Sequence, residues 1–412
     1  MKALRYGYVT GPILGALWSV VMVVLAAIIV SFATGEGLRP AILTALALGV
    51  AAGLLVLNTD RGAMLGSQPR LIAMGAALGL IAVSLLVMPM PIVASEDAAL
   101  STVSIARGVY VLGLMTGLYV IMRGAPFAAL TRHEFEAAVI KFLTGFGYIF
   151  FTAIVAIPFY VMVMTSLKNQ QQLLQNPLDF SVDVSKGWDL LRSYSELFTT
   201  FNFGDYLLTS FFVSVLTVFI TLLFSVPGAY AVARLRFQGR AAFSRSILLI
   251  YMVPMIVLAL PIYIAFSLAG LRNTIFGIVL IYPVTTIPVA LYMLQGYFRG
   301  LPAEVEEAGL MDGLTRLKVI WKITLPLSLP ALASVSLYVF MIAWNEFLLA
   351  FMLLDDPSKF TLTRGVAQLN SSEVPRQHLM AGSVIATVPI MVLFLGLERF
   401  MTKGLTAGSV KG

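Results

Sequence analysis

An all-α protein that crosses a membrane about ten times, in a group of four helices followed by a group of six, is the fold class the sequence predicts. Three observations predict it. Of 412 residues, 59% are apolar and only 11% charged, with a mean hydropathy of +0.93; a soluble domain carries about a quarter charged residues. Ten apolar stretches are long enough to cross as helix, a bilayer core needing about 20 residues. Lys and Arg also differ in density between successive connections as the positive-inside rule requires.

The first stretch, 11–34, follows Lys2 and Arg5. It exceeds twenty residues, where a signal-peptide core has roughly 7–15, so it is expected to remain as a span. Stretches 40–57, 72–94 and 102–122 follow, rich in Ala, Leu, Val and Gly and closely connected. After a gap come 144–165, 206–232, 246–268, 274–296, 327–353 and 379–400. With the N-terminus inside, 18 basic residues fall on the cytoplasmic side against 8 on the outer side. An even number of spans brings the C-terminus inside as well. The net charge of +7 is thereby accounted for without nucleic acid. Arg107, near the outer end of the fourth span, is expected to snorkel to the headgroups rather than serve a pathway.

Several chemistries are excluded. There is no cysteine, hence no disulfide or thiolate metal site. The two histidines, His133 and His378, are far apart in sequence, so no metal site is expected. No phosphate-binding G-x-x-x-x-G-K-[ST] occurs, nor G-x-S-x-G, nor H-E-x-x-H, so the chain is not expected to be an enzyme or to bind a cofactor. The sequence divides into residues 1–140, four spans with a connector at 123–141, and 141–412, six spans. The second part has outer loops at 168–206 and 355–377 and inner loops at 234–245 and 297–326.

The inner segment 299–326 holds the densest charge in the chain. Gly300 and Pro302 suit a helix start, and Glu304, Glu306 and Glu307 then lie in the first turns, where the helix dipole favours negative charge. Leu301, Val305 and Ala308 recur at i, i+4, i+7 as one apolar stripe. Gly313 after Asp312 is a helix stop. Leu314, Leu317 and Trp321 share a face of a second helix bearing Arg316, Lys318 and Lys322. Pro326 and Pro330 mark entry to the ninth span. A helix–turn–helix at the membrane surface results.

Glu307-Ala308-Gly309, then Asp312-Gly313, then nine residues, then Ile323-Thr324-Leu325-Pro326 resembles the EAA loop of ABC importer permeases. "WNEFLLA" (344–350), "GLTAGSVKG" (404–412) and the stretch 270–298 are similar to those of permeases for sugars and oligosaccharides, the maltose-type G subunit among them. The resemblance covers roughly 141–412. It departs at Gly309, where the family has Ala and the first helix could be loosened, and it does not extend to the four N-terminal spans.

The resemblance implies a six-helix permease core whose EAA loop enters a cleft on a cytoplasmic ATPase. Glu307 would pair with a basic residue of that ATPase, Ala308 and Gly309 would admit close approach, and Gly313, beside Asp312, would allow the turn. Ile323, Leu325 and Pro326 would anchor the second helix. The tail, with Gly404, Thr406, Gly408 and Lys411, would reach between two ATPase subunits, which bind the ATP and Mg2+. A second permease and an extracytoplasmic binding protein would complete the complex. Trp344, Asn345 and Glu346 become candidates for the translocation path. For Asn345, helix packing and sugar contact both remain open, and Trp344 could equally be an interface anchor. The expected function is a sugar or oligosaccharide permease in a bacterial or archaeal plasma membrane, both termini cytoplasmic. The alternatives are an ion-coupled transporter using Glu346 and a non-transporting scaffold.

Overall fold

A computed structural model describes residues 5–58, 68–94, 98–176, 179–249 and 253–406. The chain is almost wholly helical because lipid offers a backbone no hydrogen bonds, so each crossing segment must satisfy its own. By contact it separates into two units, 1–190 and 191–412.

In the first unit, α1 (Gly7–Thr34) leads to β1 (Leu38–Pro40), α2 (Ile42–Asn58) and α3 (Gln68–Val87). Next come β2 (Ile92–Ala94), α4 (Leu100–Met122), α5 (Arg132–Ser166) and α6 (Gln170–Gln175). β1 and β2 pair antiparallel, Leu38 opposite Ala94. These three-residue strands are too short for any period-two pattern to announce them. The guanidinium of Arg107 does not reach outward as expected; its Nε and Nη2 donate to the Ile92 carbonyl at 3.3 and 3.0 Å.

Glycines bring α1 and α2 together. A Cβ on Gly15 would meet the Gly49 carbonyl oxygen at 2.2 Å, one on Gly49 the Gly15 oxygen at 2.3 Å, and one on Gly53 the Gly11 oxygen at 2.2 Å. Small residues let spanning helices approach where no hydrophobic drive exists between them. Within this contact the buried Ser19 hydroxyl donates to the Ala45 carbonyl and lies 2.7 Å from the Tyr110 hydroxyl, tying α1, α2 and α4.

The boundary expected at 140/141 falls inside α5. Thr131 and Glu134 form a capping box, side chain to backbone in both directions, which starts the helix at Arg132. Its side chains Ala138, Phe142 and Ile149 then pack on the core of the first unit, with Phe142 edge-on to Trp18. A capping box overrode the charged residues that had suggested a loop to Lys141.

A 3-10 turn (Val184–Leu191) ends the first unit, and the second runs through α7 (Arg192–Thr199), α8 (Phe203–Arg234), α9 (Arg240–Leu249), α10 (Met255–Leu268) and α11 (Ile275–Gly300). Then follow α12 (Ala303–Met311), α13 (Arg316–Val319), a π turn (Ile320–Thr324), α14 (Leu325–Leu327) and α15 (Leu329–Asn345). α16 (Leu348–Leu353), α17 (Leu362–Gln368) and α18 (Arg376–Thr406) complete it. Two cores run along α8, α11 and α15, one around Tyr282, Phe340 and Trp344, the other around Tyr230, Leu294 and Phe298. Thr221 and Thr286 share a buried hydrogen bond of 2.6 Å across α8 and α11, close to Pro283 and Pro288.

Among the described residues, six helices are long and apolar enough to cross a membrane, and α13–α15 forms a bent seventh. Three further apolar helices, Ile42–Leu57, Leu71–Ser84 and Met255–Leu268, are shorter. Leu208, Phe212 and Phe219 of α8 and Ile256, Val257 and Leu260 of α10 are exposed apolar side chains that suit a lipid environment.

Gly49→Ala is expected to lower the melting temperature of the detergent-purified chain, since the new methyl must separate α1 from α2 at about 1–3 kcal/mol. Gly75→Ala, where nothing lies within 4 Å, is expected to leave it unchanged or slightly higher.

Candidate functional site

The segment between α11 and α15 leaves the bundle as a helix–turn–helix. Pro302, at φ −58° and ψ 126°, starts α12. Gly313 sits at φ +82°, the left-handed conformation that reverses the chain after Asp312. Thr315 accepts from the Lys318 N–H and starts the second limb, a cap the sequence reading did not assign. That limb changes to π geometry over Ile320–Thr324, and the chain bends by 76° between Arg316–Leu327 and Leu329–Asn345. Single π turns often mark functional places in helices.

The face α12 turns inward is not the stripe Leu301–Val305–Ala308. Val305 and Ala308 are exposed, whereas Glu306 and Gly309 are buried. The reason is polar. Glu306 Oε1 accepts from the Thr324 hydroxyl at 2.9 Å, and its Oε2 accepts from the Tyr230 hydroxyl at 3.1 Å. Arg234 Nε lies 3.5 Å from the same carboxylate, and Arg234 Nη2 donates to the Leu301 carbonyl at 2.7 Å. A carboxylate that gains several partners is buried at tolerable cost, and an apolar stripe cannot compete with that geometry. Gly309 faces Ile323, whose Cδ1 would lie 2.6 Å from a Cβ at 309. The departure from Ala therefore gives the second limb its seat rather than loosening the first.

Glu307, Ala308, Asp312 and Gly313 are all exposed, so the motif's acidic residue points away from the bundle. With them are Met311, Leu317 and Trp321, exposed by 87%, 71% and 72%. Ile323 and Leu325 are half-buried, and Pro326 is exposed; Val319, Thr324 and Ser328 are the buried residues of this limb. Pro326 is thus no anchor, and the Ser328 hydroxyl, donating to the Thr324 carbonyl at 2.6 Å, steadies the bend instead.

The WNEF stretch is a helix break. Trp344 is buried, stacks on Phe340 and donates from Nε1 to the Ala386 carbonyl at 3.0 Å. Its indole joins α15 to α18 and is buried between them. Asn345 ends α15; it is exposed and its Nδ2 donates to the Met341 carbonyl at 2.9 Å. Glu346 accepts from the Leu349 and Ala350 N–H groups at 2.9 and 3.1 Å, capping α16. Of the tail residues, Gly404 and Thr406 lie in the helical backbone of α18, and Gly408 and Lys411 lie outside the described residues.

At the opposite end of this unit, Arg192 Nε lies 2.8 Å from Glu196 Oε1, and Glu196 Oε2 lies 2.6 Å from Nε2 of the buried His378. The Arg192 hydrogen bond, then that of His378, hold the Glu196 carboxyl below its ordinary value. This pair falls within the expected outer loop 168–206, where the i, i+4 spacing of Arg192 and Glu196 is the signal the sequence carries for it. Among the described residues no cluster of three or more His, Asp or Glu could hold a metal ion.

Two outcomes are expected. Glu346→Ala leaves two N–H groups without acceptors and lowers stability in detergent by roughly 1–3 kcal/mol, while Glu346→Gln, keeping one acceptor oxygen, loses less. Because the folded Glu196 carboxyl titrates lower than the unfolded one, its stabilising share is complete above the unfolded value and fades as pH falls through the folded one. The melting temperature of Glu196→Gln is therefore expected to fall below that of wild type at pH 7 and to approach it in acid.

Comparison with known proteins agrees with this architecture. Residues 225–406 match the family described as binding-protein-dependent transport system inner membrane component. An inner membrane ABC transporter permease protein of Escherichia coli K12, YcjP, is 36% identical over 269 residues, 65% of this chain and 95% of that protein. The trehalose/maltose transport system permease protein MalG of Thermococcus litoralis is 33% identical over 281 residues, 67% of this chain and 99% of that one. The crystal structure of a bacterial ABC transporter involved in import of the acidic polysaccharide alginate aligns with a TM-score of 0.56 at 23% identity. That alignment covers 65% of this chain and 98% of the other, and it supports the fold. Matched along nearly the whole length of such relatives, the chain belongs to the binding-protein-dependent inner membrane components, the permease subunits of ABC transporters, which are not themselves enzymes.

Proposed function

We propose that this chain is one of two related permease subunits of an ATP-driven importer for a mono- or oligosaccharide. It works by alternating access, and ATP binding on a separate subunit closes its coupling loop. The observation that carries this reading is the surface of the helix–turn–helix. Glu307 and, four residues on, Met311 are exposed on α12, and Leu317 and Trp321 are exposed on the second limb, on the side the basic residues assign to the cytoplasm. Apolar side chains of that size in water call for a protein cover, and the carboxylate of Glu307 would set the register of docking.

The rest of the complex follows from this. Two ATPase subunits hold ATP and Mg2+, and an extracytoplasmic binding protein delivers the sugar to the end of the bundle opposite the coupling loop. Both termini lie in the cytoplasm of a bacterium or archaeon, with the tail from Gly404 to Lys411 directed at the ATPases. Relatives named for trehalose, maltose and arabinooligosaccharide transport support the sugar class. They are matched over 66–67% of this chain, which supports reading residues 1–140 as an added four-span extension. Asn345, exposed at the break after α15, is the residue we assign to the translocation path. Ion coupling through Glu346 has less support, since both its oxygens already serve the N–H groups of α16.

The test is purification of the tagged chain from its native membrane in mild detergent beside Glu307→Arg. An ATPase bearing a phosphate-binding loop is expected with wild type and to be lost from the variant. Absence of any ATPase from the wild-type preparation would overturn the importer reading.

A further inference from the structure

The neighbour of the motif's acid deserves its own role. Glu307 faces outward, whereas Glu306 sits where three limbs of the second unit meet: α12 itself, the π turn through Thr324, and the end of α8 through Tyr230 and Arg234. We propose that Glu306 is the positioning residue that carries motion of the docked coupling helix into the spans, a role that rests on the importer reading above. Any displacement of α12 drags the carboxylate. Through Tyr230 and Arg234 it pulls α8, which packs on α11 and α15. Through Thr324 it pulls the π turn, four residues ahead of the 76° bend into α15.

Two contacts tie the second limb to the spans, Ile320 packing on the core around Tyr230 and Phe298 and Arg316 hydrogen-bonding Tyr230, but neither holds α12. Gly309 on Ile323 joins the two limbs to each other and reaches no span. Arg234 reaches the loop a second time only at the Leu301 carbonyl, ahead of α12. Without Glu306, then, α12 loses its own tie to α8, and the helix–turn–helix remains a knob an ATPase can grip, held to the bundle by its two ends and by Ile320 and Arg316 of the second limb. A network of hydrogen bonds with a charge at its centre is stiffer than packing alone, and stiffness is what passing a displacement between elements requires. The prediction separates gripping from transmitting.

The chain has no cysteine, so one can be added as a reporter. Phe347→Cys places it on the exposed side of the break between α15 and α16. The complex purified with its ATPases is put in lipid nanodiscs, and the rate of labelling by a charged maleimide is measured without nucleotide and with ATP plus vanadate. In the Phe347→Cys background we expect the rate to change about fivefold or more. With Glu306→Ala added, the ATPase is expected to co-purify and hydrolyse ATP while the labelling rate changes less than about twofold. Glu306→Gln, able to accept from Thr324 but without charge for Arg234, should fall between. So should Tyr230→Phe, which removes only a hydroxyl and leaves the fold intact. A full labelling response in Glu306→Ala with ATPase bound overturns the proposal, as does loss of the ATPase, which would make Glu306 a docking residue. No ATPase on the parent complex, or no response to ATP there, would instead count against the importer reading and take this proposal with it.

Discussion

The bilayer's refusal to hydrogen-bond with a peptide backbone is the constraint on which this structure rests. It makes nearly every segment a helix, and it makes each interruption a place where a side chain must substitute for the missing bond. At the break after Asn345 the substitute is Glu346, whose two oxygens take the first free N–H groups of α16. At the bend into α15 it is Ser328, whose hydroxyl donates to the Thr324 carbonyl. Such positions are few and polar in an oily chain, so they are where function and structure compete for the same atoms. Glu346 illustrates the competition: each of its oxygens already accepts an N–H of α16.

The helix–turn–helix answers the same constraint from the other side. Once out of the lipid it can afford exposed carboxylates and short, imperfect helices, and its outer surface is free to serve a partner. Its inner surface must still meet the bundle. It does so with a buried carboxylate, which is specific in direction where an apolar stripe would allow sliding. Arg234 and Tyr230, at the end of a span, supply the matching polar groups four residues apart on one helical face.

Much of this was legible in the sequence. Hydropathy located the helices because lipid leaves a spanning segment one solution, and the spacing from Glu307 through Gly313 to Pro326 identified the loop through its resemblance to the EAA loop of ABC importer permeases. Periodicity failed inside the loop: Leu301, Val305 and Ala308 form a sound stripe on paper, and only three-dimensional partners 76 and 18 residues away from Glu306 reveal why Glu306 displaces it. The start of α5 was misplaced for a local reason, since Thr131 and Glu134 are a capping signal hidden within charged residues. The role of Trp344 was open because an indole suits a sugar and an interface anchor equally well, and neither use announces in the sequence that it packs on Phe340 and bonds to the Ala386 carbonyl. The strands β1 and β2, and the Glu196–His378 pair, depend on distant segments and leave no trace in local pattern.

Cover of the loop's exposed apolar residues, Met311, Leu317 and Trp321, by an ATPase is what the proposed function requires. The most direct measurement is chemical cross-linking in native membranes from Leu317→Cys, with Leu208→Cys on the lipid-facing side of α8 as the control. The reagent on residue 317 is expected to join the chain to a nucleotide-binding subunit, and the one on residue 208 is not. Cross-links from residue 317 to lipid alone, or to no ATPase at all, would contradict the proposed function.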